Sequence, residues 1–385
     1  MLATKRKESC SPRLWAAAAM SLAVLVGGAT NSSGQQCGFA SSSGLARPLG
    51  SVLEVPTRSV GQGADESLHL PHIAGQAYQR LELPSNAPQR ETGYEPLIVT
   101  VTDQSGRYVT GLQKNDFRIY VDGIQQRVRS FRHDFSTPVS IGIVVDSSGS
   151  MRRKIPQARM AIERFVGDLD PQDDIFLLAF STRIFVLQPF TTSHSQVIER
   201  LALLRADADT ALFDAIMTGL SLVRGGRNEK KALLVVTDGM DNASRNTLAR
   251  VVAEARGAGV LIYTVGIGDP DRGILGIGAF IFSGDSVHVD AQTLRQLSNE
   301  TGARTYLLNE VGDGELLRRD CEEIGNELRE QYTLGFVAPD PLRPGYRSVG
   351  VEVPGHPELT TRLRKGVTVR PATTTGIGKQ YRARQ

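Results

Sequence analysis

From Val139 onward the chain alternates short apolar runs with segments whose apolar residues recur at helical spacing, and this alternation restricts the fold more than any other feature. The runs Val139–Val145, Ile175–Phe180, Lys231–Thr237 and Val260–Val265 have the length and β-branched content of buried strands. Between the first two, Ile155, Ala158, Ile162, Phe165, Val166 and Leu169 keep a helical period. Short helices are expected near 194–204 and from Ala211. Ser244 is a candidate N-cap for the helix holding Val251, Val252 and Ala255, and Asp290 for one running to about Glu300. Strand Thr305–Leu308 and a helix over 313–331 follow. Ile175–Phe180 and Ile184–Leu187 read instead as a hairpin across Ser181-Thr182-Arg183. Such alternation gives an α/β fold, a doubly wound, mostly parallel sheet covered by helices on both faces.

The flanks have a different period. Pro96–Thr102, Phe117–Val121 and Gln126–Phe131 alternate as strands, and Asp122-Gly123 is a strong hairpin signal. This antiparallel unit is too short to bury much surface alone. Gln331–Phe336, Arg347–Val353 and Thr360–Arg370 are again extended, and are expected to complete the sheet begun by residues 94–135. The expected organisation is a signal peptide at 1–29, a disordered linker at 30–93 and the N-terminal part of the β unit at 94–135. The α/β domain then spans 136–330, the C-terminal strands 331–371, and a disordered tail 372–385. His69 and His72, inside the linker, read as solvated side chains.

Hydrophobic residues make up 40% of the 385 and charged residues 22%, ordinary values for a soluble globular protein. The formal charge of +3 resides in residues 1–29, where Lys5, Arg6, Lys7 and Arg13 face only Glu8. The rest is balanced, which argues against nucleic-acid or membrane-surface partners. The basic start, the apolar stretch Leu14–Val26 and the small residues after it form an export signal, directing the chain to the periplasm or exterior. The stretch is short against the roughly 20 residues of a membrane span, so an anchor arises only if it stays uncleaved. Cleavage removes Cys10 and leaves Cys37 and Cys321. Cys321 shares a helical face with Leu317, Ile324 and Leu328, which favours a buried thiol over a Cys37–Cys321 bridge.

Asp146-Ser147-Ser148-Gly149-Ser150 directly follows the first central strand. It sets one carboxylate and two hydroxyls at alternate positions on a loop. Thr210 precedes a helix, and Asp238 ends the strand Leu233–Thr237 with Gly239 permitting a sharp turn. In a parallel sheet the loops after successive strands share the C-terminal edge, where ligands bind. Oxygen donors without sulfur or nitrogen suit a hard cation. Mg²⁺ takes six oxygens and keeps waters readily, and Mn²⁺ or Ca²⁺ are the alternatives. Taken singly, Ser148 or Ser150 reads as a cap or turn former.

This constellation resembles the von Willebrand factor type A domain and its metal-ion-dependent adhesion site. The family's Asp-x-Ser-x-Ser motif falls on Asp146, Ser148 and Ser150, its threonine on Thr210 and its second aspartate on Asp238. The likeness covers about residues 138–330, and the flanks, including Leu112–Phe117 and Asp122-Gly123, resemble a bacterial branch with short β segments around that domain. It implies a Rossmann-like fold and a non-enzymatic, exported protein-interaction module. The sixth metal ligand would be a Glu or Asp carboxylate of a protein partner. Asp214 and Asp241 are expected in supporting or capping roles, and Asp209 departs from the glycine common before this threonine. The alternatives are a metal-dependent hydrolase and a structural domain with a loop-stabilising metal. Against the hydrolase, the chain lacks a Gly-x-x-x-x-Gly-Lys phosphate loop, and no histidine lies in the three ligand loops. The long connection 266–289 reads as a contact loop beside the metal or as a hairpin packed on the body.

Overall fold

The computed structural model describes residues 53–55, 79–80, 94–133, 137–268, 289–308, 314–337 and 345–369. Its strands begin with β1 (Leu53–Val55) and β2 (Gln79–Arg80), both inside the stretch read from sequence as a linker. Residues 1–29, His69, His72, Cys37 and most of the 266–289 connection lie outside the described residues.

The first flank supplies β3 (Tyr94–Thr102), β4 (Arg118–Val121), β5 (Ile124–Gln126) and β6 (Ser130–His133). Asp122 and Gly123 both adopt positive φ, 48° and 77°, the conformation a two-residue hairpin turn needs. Sequence reading joined 126–131 into one strand. The structure breaks it, because β5 pairs with β4 whereas β6 crosses to another sheet.

The central region follows in alternation: β7 (Val139–Asp146), α1 (Ile155–Gly167), β8 (Asp174–Phe180), β9 (Ile184–Thr191), α2 (His194–Leu201), α3 (Leu212–Val223), β10 (Lys230–Thr237), α4 (Leu248–Ala258), β11 (Leu261–Ile267), α5 (Ala291–Thr301), β12 (Thr305–Leu308) and α6 (Gly314–Arg329). Among the described residues the sheet has the order β12-β11-β10-β7-β8-β9-β1-β2. Strands β12, β11, β10, β7 and β8 run parallel, and β9 turns back antiparallel as the hairpin signal predicts. β1 extends the sheet beyond β9.

Alternate residues of each strand feed two cores. Ile141, Ile143 and Val145 of β7 pack with Ile162 and Phe165 of α1 and with Cys321, Ile324 and Leu328 of α6. On the other face Val144, Leu233 and Val235 meet Ile216 and Leu220 of α3 and Val251 of α4. Each fully buried side chain of this size contributes about 1.5–3 kcal/mol. Gly142 lets the faces close, since a Cβ there would stand 2.2 Å from the Phe176 ring. Asp290 caps α5 as expected, accepting from the Thr293 amide at 3.0 Å. The cap of α4 is Thr247 rather than Ser244, whose hydroxyl is taken up by Asp241 and the Asp214 amide.

The second flank adds β13 (Gln331–Val337), β14 (Gly345–Glu352), β15 (Thr360–Arg362) and β16 (Gly366–Val369). The two flanks form two four-stranded sheets instead of the single one expected, in the orders β15-β3-β13-β6 and β16-β14-β4-β5. Leu97, Val99 and Leu334 from the first share a core with Ile119, Val351 and Val367 from the second. One sheet would leave that apolar face in water.

Glu327 ties this β unit to the central sheet. Its fully buried carboxylate accepts from Tyr263 Oη of β11 at 2.6 Å and from Arg362 of β15 at 2.5 Å. No described helix is long and apolar enough to cross a membrane.

Candidate functional site

β7 delivers Asp146 to the C-terminal sheet edge with its side chain fully buried. Asp146 Oδ1 accepts the Ser148 amide at 2.8 Å, which folds the loop back over the strand end. Asp146 Oδ2 accepts the Thr237 hydroxyl at 2.6 Å from the adjacent β10. Ser147 anchors the loop sideways, donating through its amide and hydroxyl to the Phe180 carbonyl at the end of β8. The Ser148 and Ser150 hydroxyls then lie 3.1 Å apart, Ser148 buried and Ser150 exposed.

The loop bearing Thr210 is joined to the first by backbone bonds. Gly149 donates to the Ala208 carbonyl and Asp207 to that of Ser147, each at 2.9 Å. Ala208 carries φ 62°, an uncommon conformation for a residue with a Cβ, at the point of this join. Thr210 is buried, and Asn242 of the third loop accepts its amide at 2.8 Å while donating to its carbonyl at 3.0 Å. All three loops are therefore held together by hydrogen bonds at one edge.

Asp238 leaves β10 with 1% of its surface exposed. Gly239 turns the chain at φ 82°, and a Cβ there would meet the Asp290 carbonyl oxygen at 2.9 Å. Burial, reinforced by the negative charge of Asp238, pushes the Asp146 carboxyl up to about 6. Two like charges thus share a space with little water.

Sequence reading did not single out Lys154. Its side chain is 2% exposed, and its Nζ lies 3.3 Å from Asp238 Oδ2. The signal was present, because Lys154 precedes Ala158, Ile162 and Phe165 on the buried stripe of α1. Thr237 was likewise missed, being read only as the last residue of a strand. Of the surrounding acids, Asp214 accepts from the Arg245 and Asn246 amides and Asp241 from the Phe213 amide. These bonds fix the third loop to the start of α3. Asp209 is exposed on the rim.

The donor set fits a hard divalent cation. It contains three neutral hydroxyls and two carboxylates, with no competing sulfur or imidazole. The 3.1 Å between the serine oxygens is close to the spacing of about 3 Å between neighbouring ligands on an octahedral Mg²⁺. Among the described residues no group of three or more His, Cys, Asp or Glu side chains forms a metal cluster.

Residues 140–315 match the family model of the von Willebrand factor type A domain. Over those residues the chain is similar to that domain. It is 26% identical over 245 residues to a UPF0353 protein of Mycolicibacterium paratuberculosis, covering 57% of this chain and 69% of that one. A Borreliella burgdorferi protein is 26% identical over 189 residues, covering 46% of this chain and 55% of its own length. The human inter-alpha-trypsin inhibitor heavy chain H4 is 25% identical over 216 residues, 52% of this chain and 21% of that protein. The chain thus spans about half the length of the Borreliella relative. Among solved structures, it is similar to BatB of Bacteroides thetaiotaomicron at 18% identity and TM-score 0.40, covering 49% of this chain and 98% of that one. Proximal thread matrix protein 1 of the mussel byssus, with a zinc-occupied metal-ion-dependent adhesion site, gives 13% and 0.42, covering 53% and 48%.

Proposed function

We propose that this chain is an exported, non-enzymatic interaction module that grips an acidic side chain of a protein partner through Mg²⁺. The meeting of the loops that bear Asp146, Ser148 and Ser150, Thr210, and Asp238 at one sheet edge, joined by the Gly149–Ala208 and Asn242–Thr210 hydrogen bonds, supports this reading. Such a set holds a small hard cation and leaves it a free position. A bound Mg²⁺ supplies a Lewis-acid position that takes up a carboxylate oxygen.

The chain's own residues prepare that position. Asp146, held by the Thr237 hydroxyl and the Ser148 amide, orients the serine loop from below. Ser150 is exposed, and Met240, two residues after Asp238 and 51% exposed, offers an apolar contact for a partner. The three loops contain no histidine to serve as a general base, which supports binding rather than hydrolysis. Mn²⁺ or Ca²⁺ would occupy the same donors with different affinity. The export signal at residues 1–29 supports a periplasmic or extracellular setting.

The test is capture of partners from the native exterior proteome with Mg²⁺ and with excess EDTA, beside calorimetry with Mg²⁺ and Mn²⁺. The doubly substituted Asp146→Ala/Thr210→Ala chain should lose cation binding and capture while keeping its far-ultraviolet circular dichroism. Equal capture by that variant in EDTA would overturn the reading.

A further inference from the structure

A lysine only 2% exposed is unusual, since removing an ammonium from water is costly unless a counter-charge compensates it. Here the counter-charge is Asp238, one of the two carboxylates assigned above to the cation. The backbone fixes the approach of Lys154. Its amide donates to the Met151 carbonyl at 2.8 Å, and its carbonyl accepts the first-turn amide of Ala158 at 2.9 Å. The side chain starts from this fixed helix entrance and runs inward to Asp238.

The charge arithmetic makes this lysine more than a packing residue. With Asp146 and Asp238 ionised, the site carries one net negative charge because Lys154 cancels one of the two. A divalent cation then makes it net positive by one. Without the lysine the same cation would produce a neutral site.

We propose that Lys154 sets the charge of the cation site: it lowers affinity for the divalent ion, holds Asp238 when no ion is bound, and leaves the loaded site positive so that it draws an anionic ligand. This inference rests on the proposed cation site and deepens it. Two positive charges sharing one carboxylate repel, and even with the dielectric constant of water the change is about tenfold in binding.

The experiment compares the full chain with Lys154→Met and Lys154→Gln, using Mn²⁺ as the probe. Calorimetry should show both neutral variants binding Mn²⁺ about tenfold or more tightly than the parent. Their metal-free melting temperature should fall, because two buried carboxylates lose their cation, and Mn²⁺ should raise it by more than it raises the parent's. Lys154→Arg, which keeps the charge, should retain the parent's affinity. Folded neutral variants with unchanged or weaker Mn²⁺ affinity would overturn the proposal while leaving the cation site standing. Neutral variants that remain unfolded in saturating Mn²⁺ would also overturn it, making Lys154 a core residue only. A parent chain that binds no Mn²⁺ would remove the cation site itself and this inference with it.

Discussion

The Thr237 hydroxyl donates to Asp146 Oδ2 across 2.6 Å, joining the ends of two adjacent parallel strands beneath the candidate cation site. The same oxygen accepts the Gly239 amide at 3.0 Å, so one hydroxyl orients both the first acidic loop and the turn after Asp238. The consequence is mechanical. Asp146 is aimed by a neighbour in the sheet and is not free to rotate toward water.

Thr237→Val should therefore cost about 1–3 kcal/mol, the penalty for leaving a buried acceptor unsatisfied. Urea denaturation in EDTA measures it. Calorimetry with Mg²⁺ on the same variant should show weaker binding, because the carboxylate loses its fixed orientation.

Removing the charge of Glu327 should be more damaging than any surface ion-pair loss. Besides Tyr263 and Arg362, this carboxylate faces Arg304, whose Nε lies 3.6 Å away. Glu327→Gln leaves the partly buried Arg362 and Arg304 without their fully buried anion and should destabilise the chain by about 3 kcal/mol. Chemical denaturation gives the value, and a loss below 1 kcal/mol would show that the network is solvated.

Lys230 gives a pH dependence of definite sign. Burial lowers its ammonium to about 7, and its Nζ donates to the Leu328 carbonyl at the end of α6. Between pH 7 and the unfolded value near 10.4 the unfolded chain holds a proton that the folded chain has released. Stability should then rise with pH through that window, by roughly 3 kcal/mol up to pH 9.5, and the increment should be absent below pH 7. Denaturation from pH 7 to 9.5 should show the rise in the parent and a flatter profile in Lys230→Met.

Cys321 should be inert in the native state. Its thiol is 2% exposed, donates to the Ala161 carbonyl at 3.3 Å, and is pushed up to about 12 chiefly by burial. At pH 8 a thiol-reactive chromophore should label it only at the unfolding rate. Immediate labelling of Cys321 in folded protein would contradict this packing.

The β/α alternation, the hairpin at Ser181-Thr182-Arg183 and the turn at Asp122-Gly123 were legible because period and turn chemistry are local properties of the chain. So was the order of Asp146, Ser148, Ser150, Thr210 and Asp238 along it. The N-cap of α4 was misplaced because Ser244 and Thr247 are equivalent by residue type. The preference for Thr247 arises from Asp214 and Asp241, which occupy the Ser244 hydroxyl and the loop around it. The stretch 126–131 looked like one strand, since nothing in its own residues marks the crossing between sheets.

The sequence by itself determined the element types of the central α/β region, the sheet edge at which the three loops emerge and the oxygen-only chemistry of their side chains. Tertiary structure decided how those side chains are used. Lys154, on a stripe that reads as core, meets Asp238 only because β10 brings that carboxylate beneath the entrance of α1. The two flanks, far apart in sequence, form two sheets because only a second sheet covers the apolar face of the first. Each of these outcomes depends on long-range burial, and a charge or an apolar face carries no local record of what will cover it.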